Sequence, residues 1–202
     1  MKKIVKWFIR IFLCHIAYRV RYIGIEKVKE IDKCLICPNH SNTVEPAWIY
    51  ARCNDISIMA KAELFEKKFW NRIFTYFDVF PIHRGKHDIR SLIHAINLFK
   101  NVDKRKLLVF PEGERLKKEE DRIPAKVGPF YIASKANVPI IPVYITKNAK
   151  LFSKVHIIFG EPVMITKEIV EDKTSLQNFA NQFMDQVYHM GKEYELKEKL
   201  KK

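Results

Sequence analysis

The ten residues Cys37-Pro38-Asn39-His40-Ser41-Asn42-Thr43-Val44-Glu45-Pro46 constrain the fold more than any other stretch of the chain. Ahead of them, Lys33-Cys34-Leu35-Ile36-Cys37 is short and apolar enough to be a buried strand. Behind them, Pro46-Ala47-Trp48-Ile49-Tyr50-Ala51 reads as the first turns of a helix, where the missing N–H of Pro46 costs nothing. Strands alternating with helices in this way define an α/β domain whose functional loops leave the strand ends. His40 then sits on a strand-to-helix turn. On one continuous helix, residues five apart point in different directions, but a turn can bring Glu45 back onto the imidazole. The product is a His–carboxylate dyad: the acid fixes the tautomer and stabilises the imidazolium, while the second ring nitrogen takes a proton from a hydroxyl.

Three further blocks accompany this pair. They are Phe80-Pro81-Ile82-His83-Arg84-Gly85, Phe110-Pro111-Glu112-Gly113-Glu114-Arg115 and Val138-Pro139-Ile140-Ile141-Pro142-Val143. In this order, the four blocks resemble the glycerolipid acyltransferases of the 1-acylglycerol-3-phosphate (PlsC-type, lysophospholipid) family, from about Ile23 to Pro162. Two positions depart from that family: Glu45 stands where Asp is usual, and Glu114 where Thr is usual.

The 202 residues suit one domain with a full core, and 48% hydrophobic content excludes wholesale disorder. A formal charge of +14 points to anionic partners: phospholipid headgroups, phosphorylated substrates, a nucleotide-bearing cofactor or nucleic acid. Nucleic acid has only the charge in its favour, since no reader motif is present. Reduced thiols are the default for Cys14, Cys34, Cys37 and Cys53. Cys34, Cys37, His40 and Cys53 have the ligand types of a zinc site, yet Cys34 and Cys37 would point to opposite faces of a strand, so no metal is expected.

Residues 1–22 read as an amphipathic, basic helix, with Lys3, Lys6 and Arg10 on one stripe and Val5, Phe8, Phe12 and Ile16 on another. The longest stretch without Lys or Arg, Ile11 to Tyr18, falls short of the ~20 residues that span a bilayer. The expectation is a helix lying in the membrane interface, apolar side on the acyl chains and cations on anionic headgroups. The resemblance implies an acyltransferase domain over residues 23–202; Tyr22–Val28 reads as a strand, and most of Phe65, Phe69, Trp70, Phe74 and Phe77 read as core, with the lining of an acyl-chain slot as the alternative for some. Pro142 argues for an edge or irregular strand. Thr174-x-x-Gln177 reads as a capping box opening a C-terminal helix buried along Leu176, Phe179, Ala180, Phe183, Met184, Val187 and Tyr188.

The resemblance implies a single α/β domain with a mixed, largely parallel central sheet flanked by helices. It implies His40 and Glu45 as catalytic residues, and Arg84, Glu112, Gly113 and Arg115 as the acceptor site. Arginine suits a phosphate because its planar fork donates two parallel hydrogen bonds. The implied reaction carries a fatty acyl group from acyl-CoA or acyl-carrier protein to the free hydroxyl of a lysophospholipid, first of all 1-acylglycerol-3-phosphate, giving phosphatidic acid. No cofactor beyond the donor co-substrate is implied. The implied place of work is an anionic membrane surface, peripherally on its cytoplasmic face. Because Glu45 carries one methylene more than Asp, a non-catalytic lipid-binding protein with an altered dyad stands as the alternative.

Overall fold

A computed structural model describes residues 2–83, 88–116 and 123–201. Its centre is a seven-stranded sheet built from β1 (Arg19–Ile23), β2 (Lys33–Pro38), β3 (Ile56–Lys61), β4 (Val79–Ile82), β5 (Arg105–Leu108), β6 (Ile140–Ile145) and β7 (Lys154–Phe159), in the order β1-β7-β6-β2-β5-β3-β4. Every pairing is parallel except β6 with β7. β2 lies at the middle, and all but one of its residues are buried, as a strand covered on both faces requires.

The sheet separates two apolar layers. Leu35, Cys37, Leu107 and Ile140 face one, against α6 (Gly128–Ala136) and α8 (Lys173–Lys199); Cys34, Ile36, Leu108 and Ile141 face the other, around Trp48 and Ile49 of α3 (Glu45–Tyr50). Cys34 and Cys37 therefore do sit on opposite faces, and all four thiols are buried and free. Burial pushes the Cys34 thiol up to about 12 and the Cys53 thiol up to about 11.

Several local expectations are corrected. The first strand is Arg19–Ile23 rather than Tyr22–Val28, because Gly24 turns the chain at φ +73° and a short helix α2 (Glu26–Glu30) follows. β6 is interior, yet Pro142 costs little: odd-numbered carbonyls of β6 serve β2, so the missing N–H faces β7 where that strand has ended. The Pro142 carbonyl still receives the Gly160 N–H at 2.8 Å. α8 is capped by Asp172, which accepts the Ser175 N–H at 2.6 Å, while Gln177 donates instead to the Ala125 carbonyl.

Most of the aromatic stripe is not core. α4 (Lys68–Tyr76) has no buried residue, Phe69 is 69% and Trp70 47% exposed, Trp70 stacks on Phe74 and Phe65 meets Phe74 at a tilt, while Phe77 packs against the layer around Trp48.

Among the described residues the N-terminal segment is helical up to Ala17, as α1 (Lys2–Phe8) continuing into a wider π-helical stretch (Ile9–Ala17). Its orientation is the informative part. Lys6 donates to the Cys53 carbonyl and lies over the Tyr50 ring, and Arg10 donates to the Ala51 carbonyl, so these cations cover the unpaired carbonyls just beyond α3. Burial lowers the pKa of Lys6. The outward face carries Ile4, Trp7, Phe8, Phe12 and Ile16, each more than half exposed. Thus Lys6 and Arg10 are spent on the domain, not offered to headgroups. Among the described residues no helix is long and apolar enough to cross a membrane.

Candidate active site

β2, β5, β3 and β4 run in one direction, so their carboxyl ends share one edge of the sheet. His40 leaves this edge after β2, and the Phe110–Arg115 turn leaves it after β5, the adjacent strand. Asn39 locks the exit of β2 by clamping one residue of β6: its carbonyl oxygen accepts the Ile145 N–H at 2.7 Å, and its amide donates to the Ile145 carbonyl at 3.0 Å.

Glu45 opens α3 and folds back as the dyad requires. Its Oε2 lies 2.6 Å from His40 Nδ1, and the same carboxylate accepts the Ser41 N–H at 3.0 Å and, through Oε1, the Ser41 hydroxyl at 2.9 Å. Every contact is from a donor, which is what a carboxylate accepts. Glu45 is fully buried and the His40 side chain is 13% exposed, its Nε2 without a partner among the described residues. With Nδ1–H held by the acid, Nε2 keeps its lone pair for a proton. Phe110 supplies an apolar wall, its ring centroid 4.0 Å from that of His40. The Ser41 hydroxyl is directed to Glu45 and receives the Asn148 N–H at 3.3 Å; it is part of the support for the dyad.

The second turn is bonded directly to the first. Glu112 is 2% exposed; its Oε2 accepts the main-chain N–H of His40 at 2.7 Å, and its Oε1 accepts the Tyr188 hydroxyl. Burial raises the pKa of Glu112, opposed by those two hydrogen bonds and by the charge of Lys147. Glu112, expected in the acceptor site, thus has each carboxylate oxygen accepting a hydrogen bond from the protein. Gly113 holds φ +74° with its N–H on the Phe110 carbonyl at 3.0 Å, a backbone conformation that L side chains rarely adopt. Arg115 is exposed, and Leu116 after it donates its N–H to the His40 carbonyl at 2.8 Å, which puts the Arg115 backbone beside the dyad. Arg84 lies outside the described residues. The chain on either side of it is tied together by Asp88, which accepts the His83 N–H at 2.9 Å; that bond, helped by the Ser91 hydroxyl, holds the Asp88 carboxyl far below the usual range.

Three contributors were invisible to sequence reasoning: Phe110 as a wall, Asn39 as a clamp and Tyr188 as a partner for Glu112. The first two lie inside quoted blocks, whereas Tyr188 is 76 residues away from Glu112 and carries no motif of its own.

A buried carboxylate holding an imidazole at the carboxyl edge of a largely parallel sheet defines the class: an α/β protein with a His–carboxylate pair whose second ring nitrogen can accept a proton. The family model for acyltransferases matches residues 19–146, and the chain belongs to that family. It is 30% identical over 145 residues to a 1-acyl-sn-glycerol-3-phosphate acyltransferase of Helicobacter pylori, covering 69% of this chain and 60% of the relative. It is 34% identical over 106 residues to the 1-acyl-sn-glycerol-3-phosphate acyltransferase of Saccharomyces cerevisiae, covering 48% of this chain and 34% of the relative. The human 1-acyl-sn-glycerol-3-phosphate acyltransferase beta is 30% identical over 145 residues, covering 69% and 51%. The chain spans between 34% and 60% of the length of these curated relatives. The crystal structure of the 1-acyl-sn-glycerophosphate acyltransferase PlsC from Thermotoga maritima shares the fold, with a TM-score of 0.63 at 23% identity over 85% of this chain and 72% of that one.

Proposed function

We propose that the chain transfers a fatty acyl group from an acyl thioester, acyl-CoA or acyl-carrier protein, to the free hydroxyl of 1-acylglycerol-3-phosphate, giving phosphatidic acid. The observation that carries this reading is the 2.6 Å contact between Glu45 and His40 Nδ1, which leaves Nε2 unpaired among the described residues at the sheet edge. Nε2 takes the proton of the acceptor hydroxyl as its oxygen attacks the thioester carbonyl. The C–S bond then breaks, and the departing sulfur receives that proton from the imidazolium, so the ring returns to its starting state. No covalent acyl-enzyme is involved. Arg115, with Arg84, holds the acceptor phosphate. Glu112 and Gly113 shape the acceptor site from below, through the main chain.

The substrate is itself a membrane lipid, and the N-terminal helix supports a peripheral seat for the protein. Trp7, Phe8, Phe12 and Ile16 face outward, and Phe152 stands 64% exposed in a loop whose N–H donates to the Ala17 carbonyl at 2.7 Å. That surface, on a chain of charge +14, suits an anionic leaflet on the cytoplasmic side.

The test is purified protein with lysophosphatidic acid and, in separate arms, acyl-CoA and acyl-carrier-protein donors, read by thiol release and by mass spectrometry of the lipid. Wild type should form phosphatidic acid with one donor or both, and His40→Ala should abolish it. Undiminished turnover in the His40 variant overturns the mechanism. Absence of turnover in wild type with either donor favours the lipid-binding alternative.

A further inference from the structure

We infer that Tyr188, on the C-terminal helix, is a positioning residue for acyl transfer: its phenol holds the buried carboxylate that fixes the main chain of the histidine base. The kinetic part of this inference rests on the proposed reaction; the structural part does not.

Glu112 joins two parts of the molecule. One oxygen accepts the His40 main-chain N–H at 2.7 Å and the other accepts the Tyr188 O–H. Glu112 is 2% and Tyr188 5% exposed, so this chain of contacts is buried within the domain. Burial favours the protonated form of Glu112, and the two donors oppose it. Without the phenol, one oxygen of a desolvated carboxylate would lack its partner, and the carboxylate would rotate or take up a proton. Either change loosens the hydrogen bond that fixes the His40 backbone, and the imidazole moves with that backbone.

Tyr188 is itself well held. Lys147 Nζ lies 4.3 Å from its ring centroid, and Tyr144 meets it edge-on with centroids 6.5 Å apart. The residue lies beyond position 146, where the family match ends. The C-terminal helix of this chain therefore contributes to the site through a contact outside the matched segment.

The experiment is Tyr188→Phe, which keeps the ring and removes only the hydroxyl, studied in the full chain by saturation kinetics and by the amide spectrum of isotopically labelled protein. The expected result is a kcat lower by about 10- to 100-fold, the range in which sub-ångström to ångström displacements of a base act, with KM within about 2-fold. The His40 amide resonance should shift, since its charge-assisted hydrogen bond weakens. In a Glu112→Gln background, Tyr188→Phe should lower kcat by no more than about 2-fold further, because the two residues act through one bond. Unchanged kcat with an unmoved His40 amide overturns the inference. So does a rise in KM alone, or an equal loss in both backgrounds, which would make Tyr188 a helix-docking residue. Absence of turnover in wild type would overturn the functional reading, and the amide shift would still decide whether Tyr188 holds Glu112 on His40.

Discussion

Glu45 reaches His40 Nδ1 at 2.6 Å from the first turn of a helix, so a side chain one methylene longer than aspartate still brings its carboxylate onto the ring. The extra methylene is absorbed by the turn: Ser41 closes around the same carboxylate with both its N–H and its hydroxyl. In this geometry the hydrogen bond between acid and imidazole is kept.

Glu45→Asp should therefore lower kcat, not raise it. Shortening the acid withdraws its carboxylate by about 1 Å or more from the imidazole, a displacement that costs about 100-fold in rate. Glu45→Gln keeps the length and an oxygen for the imidazole N–H but removes the negative charge that stabilises the imidazolium, so it should also lower kcat. Steady-state kinetics of the two variants at equal folded fraction check this, and a faster Asp variant would mean that the dyad in solution is looser than described.

For the N-terminal helix, cations and apolar residues should separate in experiment. Trp7→Ser and Phe8→Ser should each weaken binding to anionic vesicles about 10-fold or more, because burying such a side chain contributes ~1.5–3 kcal/mol. Lys6→Ala should leave vesicle binding within a few-fold and instead lower thermal stability, since Lys6 serves the Cys53 carbonyl and the Tyr50 ring. Co-sedimentation and thermal melts read the two effects apart. The reverse pattern would show that the helix turns over in solution.

Much of this was legible from residue order. The His40–Glu45 pair and the strands before them follow from a short apolar run, a proline-marked helix start and a histidine between. The helix of residues 1–22 was legible as amphipathic, but periodicity gives stripes without saying which stripe meets the domain; carbonyls left unpaired beyond α3 decide that, and they are a tertiary feature. The same limit misled the reading of Phe69 and Trp70, which have helical spacing but no layer to pack against. Glu112 carries a motif that suggests a substrate contact, and only the arrival of Tyr188 from the C-terminal helix shows its oxygens engaged.

Glu112 also makes a prediction about pH. Burial raises its native pKa above the ordinary carboxylate range, so the folded state binds this proton more tightly than the unfolded chain. The stability that this group contributes is full below its unfolded pKa, ~4.3, and is lost as pH rises through the higher native value. Glu112→Gln cannot titrate. The unfolding free energy of wild type minus that of the variant should therefore fall as pH rises from about 4 through that window. Urea unfolding at stepped pH measures the difference, and a flat or rising difference would place the native pKa at or below the ordinary range.

The docking of α8 depends on the missing side chain at Gly191. A Cβ built there would lie 2.5 and 2.6 Å from Cε2 and Cδ2 of Tyr144 and closer still to Cζ. That ring cannot simply step aside, since it is buried and its hydroxyl meets Glu195 at 3.2 Å. Two effects compete in Gly191→Ala. Helix propensity favours alanine by ~1 kcal/mol, and overpacking a close contact costs ~1–3 kcal/mol. With three ring atoms inside contact distance, the upper half of that range applies and the overpacking wins, by about 1–2 kcal/mol, which lowers Tm by roughly 2–8 °C for a chain of this size. Because Tyr188 lies one turn earlier on the same helix, the displacement should also reduce kcat, coupling a distant packing change to the histidine through Glu112. Melting curves and turnover of the variant measure both. Combining Gly191→Ala with Tyr144→Leu, which clears the ring, should recover most of the lost Tm; a variant that melts higher than wild type without that second change would show that Tyr144 yields freely.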